Sequence, residues 1–191
     1  MDIHSRLWSS KGECIMNIFV LDKSPIISAQ MLGDKHIVKM PLETAQMLCS
    51  VWHRYDVGDK VPYKEAHRNH PCTLWAGDSA ENYEWLWQHG MELCFEYTRR
   101  YNKIHKCQQV IMDLDKVHAC MFDDTNGTPH IQCMPDEYKY YDEDKAWVGY
   151  RKYYANEKKD IAKWEKSRPM PEWYASGQYK INKLDMNKEV V

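Results

Sequence analysis

Two long stretches of this chain place their apolar residues at helical spacing, and no stretch shows a series of alternating strands. Between Pro25 and about Tyr55, Ile37, Val38, Leu42, Ala45, Leu48 and Trp52 fall on one side at ~100° per residue. His36, Lys39, Glu43, Gln46 and Ser50 form a polar stripe on the other side. Pro41 interrupts the run, so either two helices meet there with Pro41 in a first turn, or one helix kinks. The second stretch spans roughly 79 to 104, with Tyr83, Leu86, Leu93, Tyr97, Tyr101 and Ile104 facing inward. Asp78-Ser79-Ala80-Glu81 reads as its capping box, with an acidic N-cap, and Arg99, Arg100 and Lys103 suit the dipole at its other end. The pattern predicts an all-α fold.

The remaining chain fits around these two helices. Residues 17–22 (Asn-Ile-Phe-Val-Leu-Asp) predict a strand or an extended arm, and 56–77 a loop rich in Gly and Pro. A shorter helix is expected over about 108–119, then the Asn126-Gly127-Thr128-Pro129 turn. A last long helix is expected from about 144 to 166, stopped by Arg168-Pro169-Met170-Pro171. A length of 191 residues and 43% hydrophobic residues suit one domain with its own core. The expected boundaries are a leader at 1–15, with Met16 an alternative start, a single compact helical domain with long loops at 16–175, and a polar tail at 176–191.

Charge excludes one class and leaves another open. The net charge of −2 argues against an overall basic coat for nucleic acid. Residues 123–144 nevertheless carry −6 and residues 151–168 carry +4, which leaves room for a local phosphate-binding face. No apolar run approaches the ~20 residues of a bilayer span, and no secretory signal is present, so a membrane protein is excluded. Seven cysteines, an odd number, predict reduced thiols in a cytoplasm. Thirteen Tyr and eight Trp against three Phe suit either helix packing or base stacking, since their polar tips tolerate wet surfaces.

Three groups of residues carry candidate chemistry. Glu43 stands seven residues after His36, almost directly above it on a helix with Lys39 between them, an arrangement suited to proton transfer. The alternative is an ordinary solvated helix face. His105 with Cys107, His118 with Cys120, and His130 with Cys133 have zinc-ligand residue types but no CxxC pair, and no metal or cofactor is assigned. Arg68, flanked by His67 and His70 before Pro71, offers a phosphate contact or simply helix caps. Gly-rich phosphate loops, GxSxG and HExxH are absent from the sequence.

The order of several short motifs resembles the bacteriophage endonuclease V family, the pyrimidine-dimer DNA glycosylases. Asp34-Lys35-His36-Ile37 followed by Glu43 is similar to that family's Asp-x-His-Leu and catalytic Glu. Asn82-Tyr83-Glu84-Trp85-Leu86, Glu92-Leu93, Glu96 and Arg99-Arg100 resemble its second-helix pattern. Met134-Pro135-Asp136-Glu137-Tyr138, then Glu165-Lys166, Arg168-Pro169 and Trp173-Tyr174, resemble its later motifs. The resemblance runs in colinear patches over most of residues 17–174.

That resemblance implies a small all-α enzyme, in the cytoplasm of a bacterial or phage-infected cell, that excises a damaged or modified pyrimidine from double-stranded DNA and can then cleave the abasic strand. It implies Glu43 as catalytic carboxylate, His36 beside it, Lys166 on phosphate, and Trp173 with Tyr174 as the C-terminal aromatic segment. Arg68, Arg99, Arg100, Lys163 and Arg168 are further expected DNA contacts, and Trp75 a further stacking candidate. The family's arginines beside the Glu fall here on Leu42 and Gln46. Its nucleophile is a processed α-amine, whereas here Asn17 follows Met16, a large residue. Lys39 would serve as the amine only if burial or a neighbouring cation lowered its pKa from ~10.4. The competing expectations are a transferase or hydrolase acting on modified pyrimidines, and a noncatalytic interaction protein.

Overall fold

The computed structural model describes residues 16–115 and 122–181; of these described residues 54% are helical and none is in a strand. Seven helices follow in order: α1 (Pro25–Met31), α2 (Asp34–Arg54), α3 (Pro71–Ala76), α4 (Ala80–Tyr101), α5 (Gln108–Asp113), α6 (Ala146–Glu157) and α7 (Glu172–Ala175). The expected leader, residues 116–119 of the expected third helix, and most of the expected tail lie outside the described residues.

Helices α2 and α4 pack against each other at the centre, with α1 also on α4 and α3 and α5 on α2. Gly90 permits the α2–α4 approach: a Cβ there would lie 2.5 Å from Thr44 Cγ2. Tyr83, Tyr150 and Tyr154 are the bulkiest fully buried side chains. Their hydroxyls find partners as buried polar tips must: Trp52 Nε1 donates to Tyr83 Oη at 2.8 Å, and Tyr83 Oη donates to Leu114 O at 3.0 Å. Here the abundant polar-tipped aromatics serve helix packing.

The break between the first two helices falls at Leu32–Gly33, and Pro41 lies inside α2 without ending it. Gly33 sits where another segment crosses: a Cβ on it would be 3.1 Å from Lys163 N and 3.2 Å from Ala162 Cα. Crowding against that crossing backbone, rather than the proline, therefore sets the boundary.

The inner face of α2 also differs from the expected stripe. Val38 and Leu42 are 44% and 43% exposed, while Met40, Met47 and Val51 join Ile37 and Leu48 in the core. Neighbours cover α2 on several sides, so His36, Glu43 and Ser50 on the supposed solvent face are buried as well. The free face of α2 is a narrow stripe of Lys35, Val38, Lys39 and Leu42, offset from the polar face that the periodicity picks out.

Two further boundaries move. Ser79 rather than Asp78 caps α4, its hydroxyl accepting from Asn82 N at 3.1 Å, while Glu81 instead accepts from Gly127 N. The expected long helix 144–166 ends at Glu157. The chain then turns at Lys158 and runs irregularly beside the start of α2, where Asp34 N donates to Lys163 O at 2.8 Å. Glu165 N donates to Asp34 Oδ2 at 2.7 Å, so one carboxylate staples this segment in place.

Residues 16–21 form a buried extended arm. Asn17 Oδ1 accepts from Ile18 N and Phe19 N, at 2.8 and 3.2 Å, which holds Phe19 at φ 56°. A bulky residue in that left-handed region costs about 1–3 kcal/mol, so surrounding contacts must impose it. Among the described residues no helix is long and apolar enough to cross a membrane.

Candidate active site

The arm, the first turns of α2 and the turn after α6 enclose a recess of about 250 Å³. Asn17, Phe19, Lys35, His36, Lys39, Glu43, Lys158 and Ile161 line it. Glu43 is 7% exposed and forms part of this concave wall. Its Oε1 pairs with Lys39 Nζ at 2.7 Å, and its Oε2 accepts from the backbone N of Asn17 at 3.2 Å. Two partners leave lone pairs free on a carboxylate, which offers about four acceptor positions.

His36 is held more firmly than Glu43. Its Nδ1 lies 2.7 Å from Tyr154 Oη, and that hydroxyl accepts from Gly33 N at 2.9 Å. With a donor already on the phenol oxygen, the phenol proton points to His36 Nδ1, which leaves Nε2 carrying the imidazole proton. Burial, then the charges of Lys158 and Lys39, push the His36 pKa down to about 3. The imidazole is therefore neutral near pH 7, and a proton-donating imidazolium is not available there. Its suited roles are orientation and hydrogen bonding.

Lys39 does not meet the burial condition for an amine nucleophile. Its side chain is 66% exposed, and its ion-pair partner is a carboxylate rather than a cation. Lys35 and Lys158 bring two further ammonium groups to the recess, with Lys158 Nζ 5.2 Å from the Tyr153 ring centroid. Lys163 is fixed beside the start of α2 through its backbone, with a 60% exposed side chain. Lys166 is exposed next to it, its Nζ 5.8 Å from the Tyr101 ring. Three lysines thus share the recess with Glu43, a local field that attracts phosphate.

Several expected DNA contacts are committed elsewhere. Arg100 is a correction: its side chain is 0% exposed, and it binds Glu96, Asp34, Leu32 O and Gln30 O. Arg168 spends Nε and Nη2 on Glu96, while Arg99 is 55% exposed with Nε 3.3 Å from the same carboxylate. Arg68 is exposed, pairs with Glu65 at 3.4 Å and does not line the recess.

Trp173 is also a correction. It is 6% exposed, packs on Tyr154 and Tyr179, and places Nε1 3.3 Å from Met31 Sδ, so its ring faces cannot receive a base. Half-buried Tyr174 packs edge-on against Trp164. Arg168 and Trp173 do share a groove of about 900 Å³, but Glu43 is not in it. Trp75, packed against Trp85 and His130 and 5% exposed, is excluded from stacking in the same way.

The expected histidine–cysteine pairs do not assemble as pairs. His105 Nε2 meets Val38 O at 3.1 Å, and Cys107 Sγ lies 3.5 Å from Tyr63 Oη. His130 lies between Trp75 and Trp85, while His118 and Cys120 lie outside the described residues. Cys133 instead meets His70 and Cys72 in a buried cluster. The five described cysteines form no disulfide with one another.

Sequence reasoning passed over Asn17 Nδ2, Phe19, Lys35, Tyr154, Lys158 and Ile161 as site-building groups. Only Asn17, next to Met16, carried any signal; Phe19 lies on the arm, Lys35 on α2 and Tyr154 on α6, and Lys158 and Ile161 are brought in by the chain's return after α6.

A buried carboxylate in a lysine-edged recess of an all-helical domain is suited by charge to a cationic centre flanked by phosphates. Comparison with protein families bears on the same residues. Residues 16–109, which hold the arm, α1 to α4 and Glu43, match the family model described as Pyrimidine dimer DNA glycosylase. The match covers just under half of the chain, and over it this segment is similar to that family. The later colinear motifs from Met134 onward lie outside the matched residues. Comparisons with curated proteins and with solved structures give no match.

Proposed function

We propose that this protein is a DNA glycosylase that releases a damaged or modified pyrimidine from duplex DNA, with Glu43 as the catalytic carboxylate. The family match over residues 16–109 supports the class of reaction. One observation carries the assignment to a residue: Glu43 is buried yet unsaturated, and it faces a recess edged by Lys35, Lys39 and Lys158.

Breaking the C1′–N bond leaves positive charge on the deoxyribose and sends the bonding pair out with the base. A carboxylate held in a water-poor recess stabilises that charge more than solvent does. Water then adds to C1′ and loses a proton to Glu43, the departing base anion takes a proton from solvent, and Glu43 returns its own proton to solvent, giving an abasic site and a free pyrimidine. The target nucleotide must be turned out of the stack to reach this recess. The rim lysines, with Lys163 and Lys166, take the flanking phosphates, so binding weakens steeply with salt.

An amine-driven branch rests on a further distance. Asn17 N lies 3.2 Å from Glu43 Oε2, so a chain whose first residue is Asn17 would present its α-amine at the catalytic oxygen. Such an amine, with an ordinary pKa of ~7.7–8.0, is partly neutral near pH 7 and would add to C1′ as an iminium, opening the way to strand cleavage. Met16, 2% exposed and touching Thr73, fills a core position that this processing would empty.

The test uses duplex DNA carrying ultraviolet-damaged or chemically modified pyrimidines, with and without borohydride. Base release without a trapped adduct supports the water branch, and an adduct on Asn17 N supports the amine branch. Absence of base release and strand cleavage on every such duplex overturns the proposal, and turnover of free nucleotides alone would favour a nucleotide-processing enzyme.

A further inference from the structure

The arm that carries Asn17 is anchored from behind as well as from the recess. Asn17 Nδ2 donates to Cys133 O at 2.7 Å, and Cys133 Sγ lies 3.4 Å from Cys72 Sγ. His70, the N-cap of α3, completes the group: one ligand atom from each of His70, Cys72 and Cys133 lies within 4.8 Å of the others. The three residues are 1%, 0% and 6% exposed.

From this geometry we infer that His70, Cys72 and Cys133 form a binding site for a thiophilic divalent metal ion of the zinc type, independent of the glycosylase reading. Two sulfurs bound to one tetrahedral zinc stand ~3.8 Å apart for Zn–S bonds of ~2.3 Å. The two thiols are already near that separation. His70 Nδ1 accepts from Cys72 N at 3.1 Å, so its lone pair is directed toward the turn that bears Cys72 Sγ. A metal on Nδ1 replaces that hydrogen bond and leaves the proton on Nε2.

Charge selects the ion. Binding releases the two thiol protons, and two thiolates with one divalent ion sum to zero, the condition under which buried thiolates are tolerated. A monovalent ion would leave a buried negative charge. No carboxylate belongs to the cluster, which disfavours magnesium and calcium. The fourth position of a tetrahedral ion is not filled by any His, Cys, Asp or Glu among the described residues. The metal would tie α3 to the Cys133 loop, and through Asn17 it would set the arm against Glu43. It therefore acts as a positioning device, not a participant in base release.

The test takes the full, tag-free chain, reduced, and titrates it with zinc and with cobalt(II). The expected result is one ion per chain, with the sulfur-to-cobalt charge-transfer and tetrahedral ligand-field bands of a thiolate site. Alkylation of the unmutated protein should modify Cys72 and Cys133 only after a chelator is added. Cys72→Ser and Cys133→Ser should lose the tight equivalent, whereas Cys49→Ser and Cys94→Ser should keep it. No thiolate band, protection mapped to other cysteines, or a Cys72–Cys133 disulfide in place of bound metal overturns the inference. These readouts are blind to DNA, so their failure leaves the glycosylase reading untouched.

Discussion

Glu43 and Glu96 are both buried glutamates on the two central helices, yet their surroundings are opposite. Glu96 is 0% exposed and meets three guanidinium groups, from Arg100 at 2.8 Å, Arg168 at 2.8 Å and Arg99 at 3.3 Å. Glu43 meets one mobile, exposed ammonium and one backbone N–H at the wall of a recess. A carboxylate saturated by guanidinium groups has no acceptor position left for a reacting group. One held by a side chain that can swing away does. Burial alone therefore does not mark a reactive acid; unsatisfied acceptor capacity facing a cavity does.

The sharpest way to break this comparison is to neutralise each acid in turn. Glu43→Gln keeps shape and is expected to lower base release by about 10²–10⁴-fold, the usual worth of a general acid–base group, while stability changes little. Glu96→Gln is expected to cost about 3–5 kcal/mol in urea denaturation, because it leaves Arg100 buried beside a weaker partner. Any surviving folded Glu96→Gln protein should retain its base-release rate. Inactivity of folded Glu96→Gln, or full activity of Glu43→Gln, would invert the two roles.

Acid sets the two regions apart in another way. Burial pushes the pKa values of His36 and His89 down to about 3, with Lys158 and Lys39 adding to the first and His130 to the second. Burial alone pushes His130 to about 4. Each ring is neutral when folded but takes a proton near pH 6.5 when unfolded, so the unfolded chain binds more protons in between. Stability from these groups is therefore intact above pH 6.5 and is lost as pH falls toward 4, at about 1.4 kcal/mol per pH unit for each histidine. Burial raises the Glu96 carboxyl, but hydrogen bonds from Arg168 and Arg100 outweigh it and hold it below the ordinary range. Its contribution is present above that range and fades only at lower pH. Neither His89 nitrogen has a partner among the described residues, so His89→Phe should flatten the slope between pH 6 and 4 by about a third. An unchanged slope in urea midpoints across that range would rule out His89 as a contributor.

How much of this was legible beforehand differs between the two acids. The seven-residue step from His36 to Glu43 stands out in the sequence because it depends only on helix geometry, and the all-α class follows from periodicity alone. Arg100 and Trp173 read equally well as DNA contacts, since nothing local tells a buried guanidinium from an exposed one. Arg100 is buried because Asp34 and the carbonyls of Gln30 and Leu32 reach it across the fold, and Trp173 because Tyr154 and Met31 do, after the chain leaves α6 at Glu157 to run back past Gly33. That return also brings Lys158 and Ile161 into the recess. Long-range crossings of this kind leave no periodic trace.

The smaller tests sharpen the recess itself. Tyr154→Phe removes the hydroxyl shared by His36 Nδ1 and Gly33 N, stranding two buried groups at a cost of about 1–3 kcal/mol. If His36 orients the substrate through its Nε2–H, kcat should fall further than KM rises, because the imidazole loses the bond that fixes its tautomer. A change in stability with unaltered kcat would make His36 a packing residue only.

The least costly change concerns the rim. Lys163→Gln and Lys166→Gln touch exposed side chains, so stability should move by less than about 0.5 kcal/mol. If each ammonium meets a phosphate, each substitution should reduce the slope of log K against log salt by about 0.9, and the pair by about twice that. Arg68→Gln, equally exposed but remote from the recess lining, supplies the contrast and should leave the slope unchanged. Equal loss from all three would mean that DNA reads the whole surface. Loss confined to Lys163 and Lys166 would mean that it is drawn to the side where Glu43 waits.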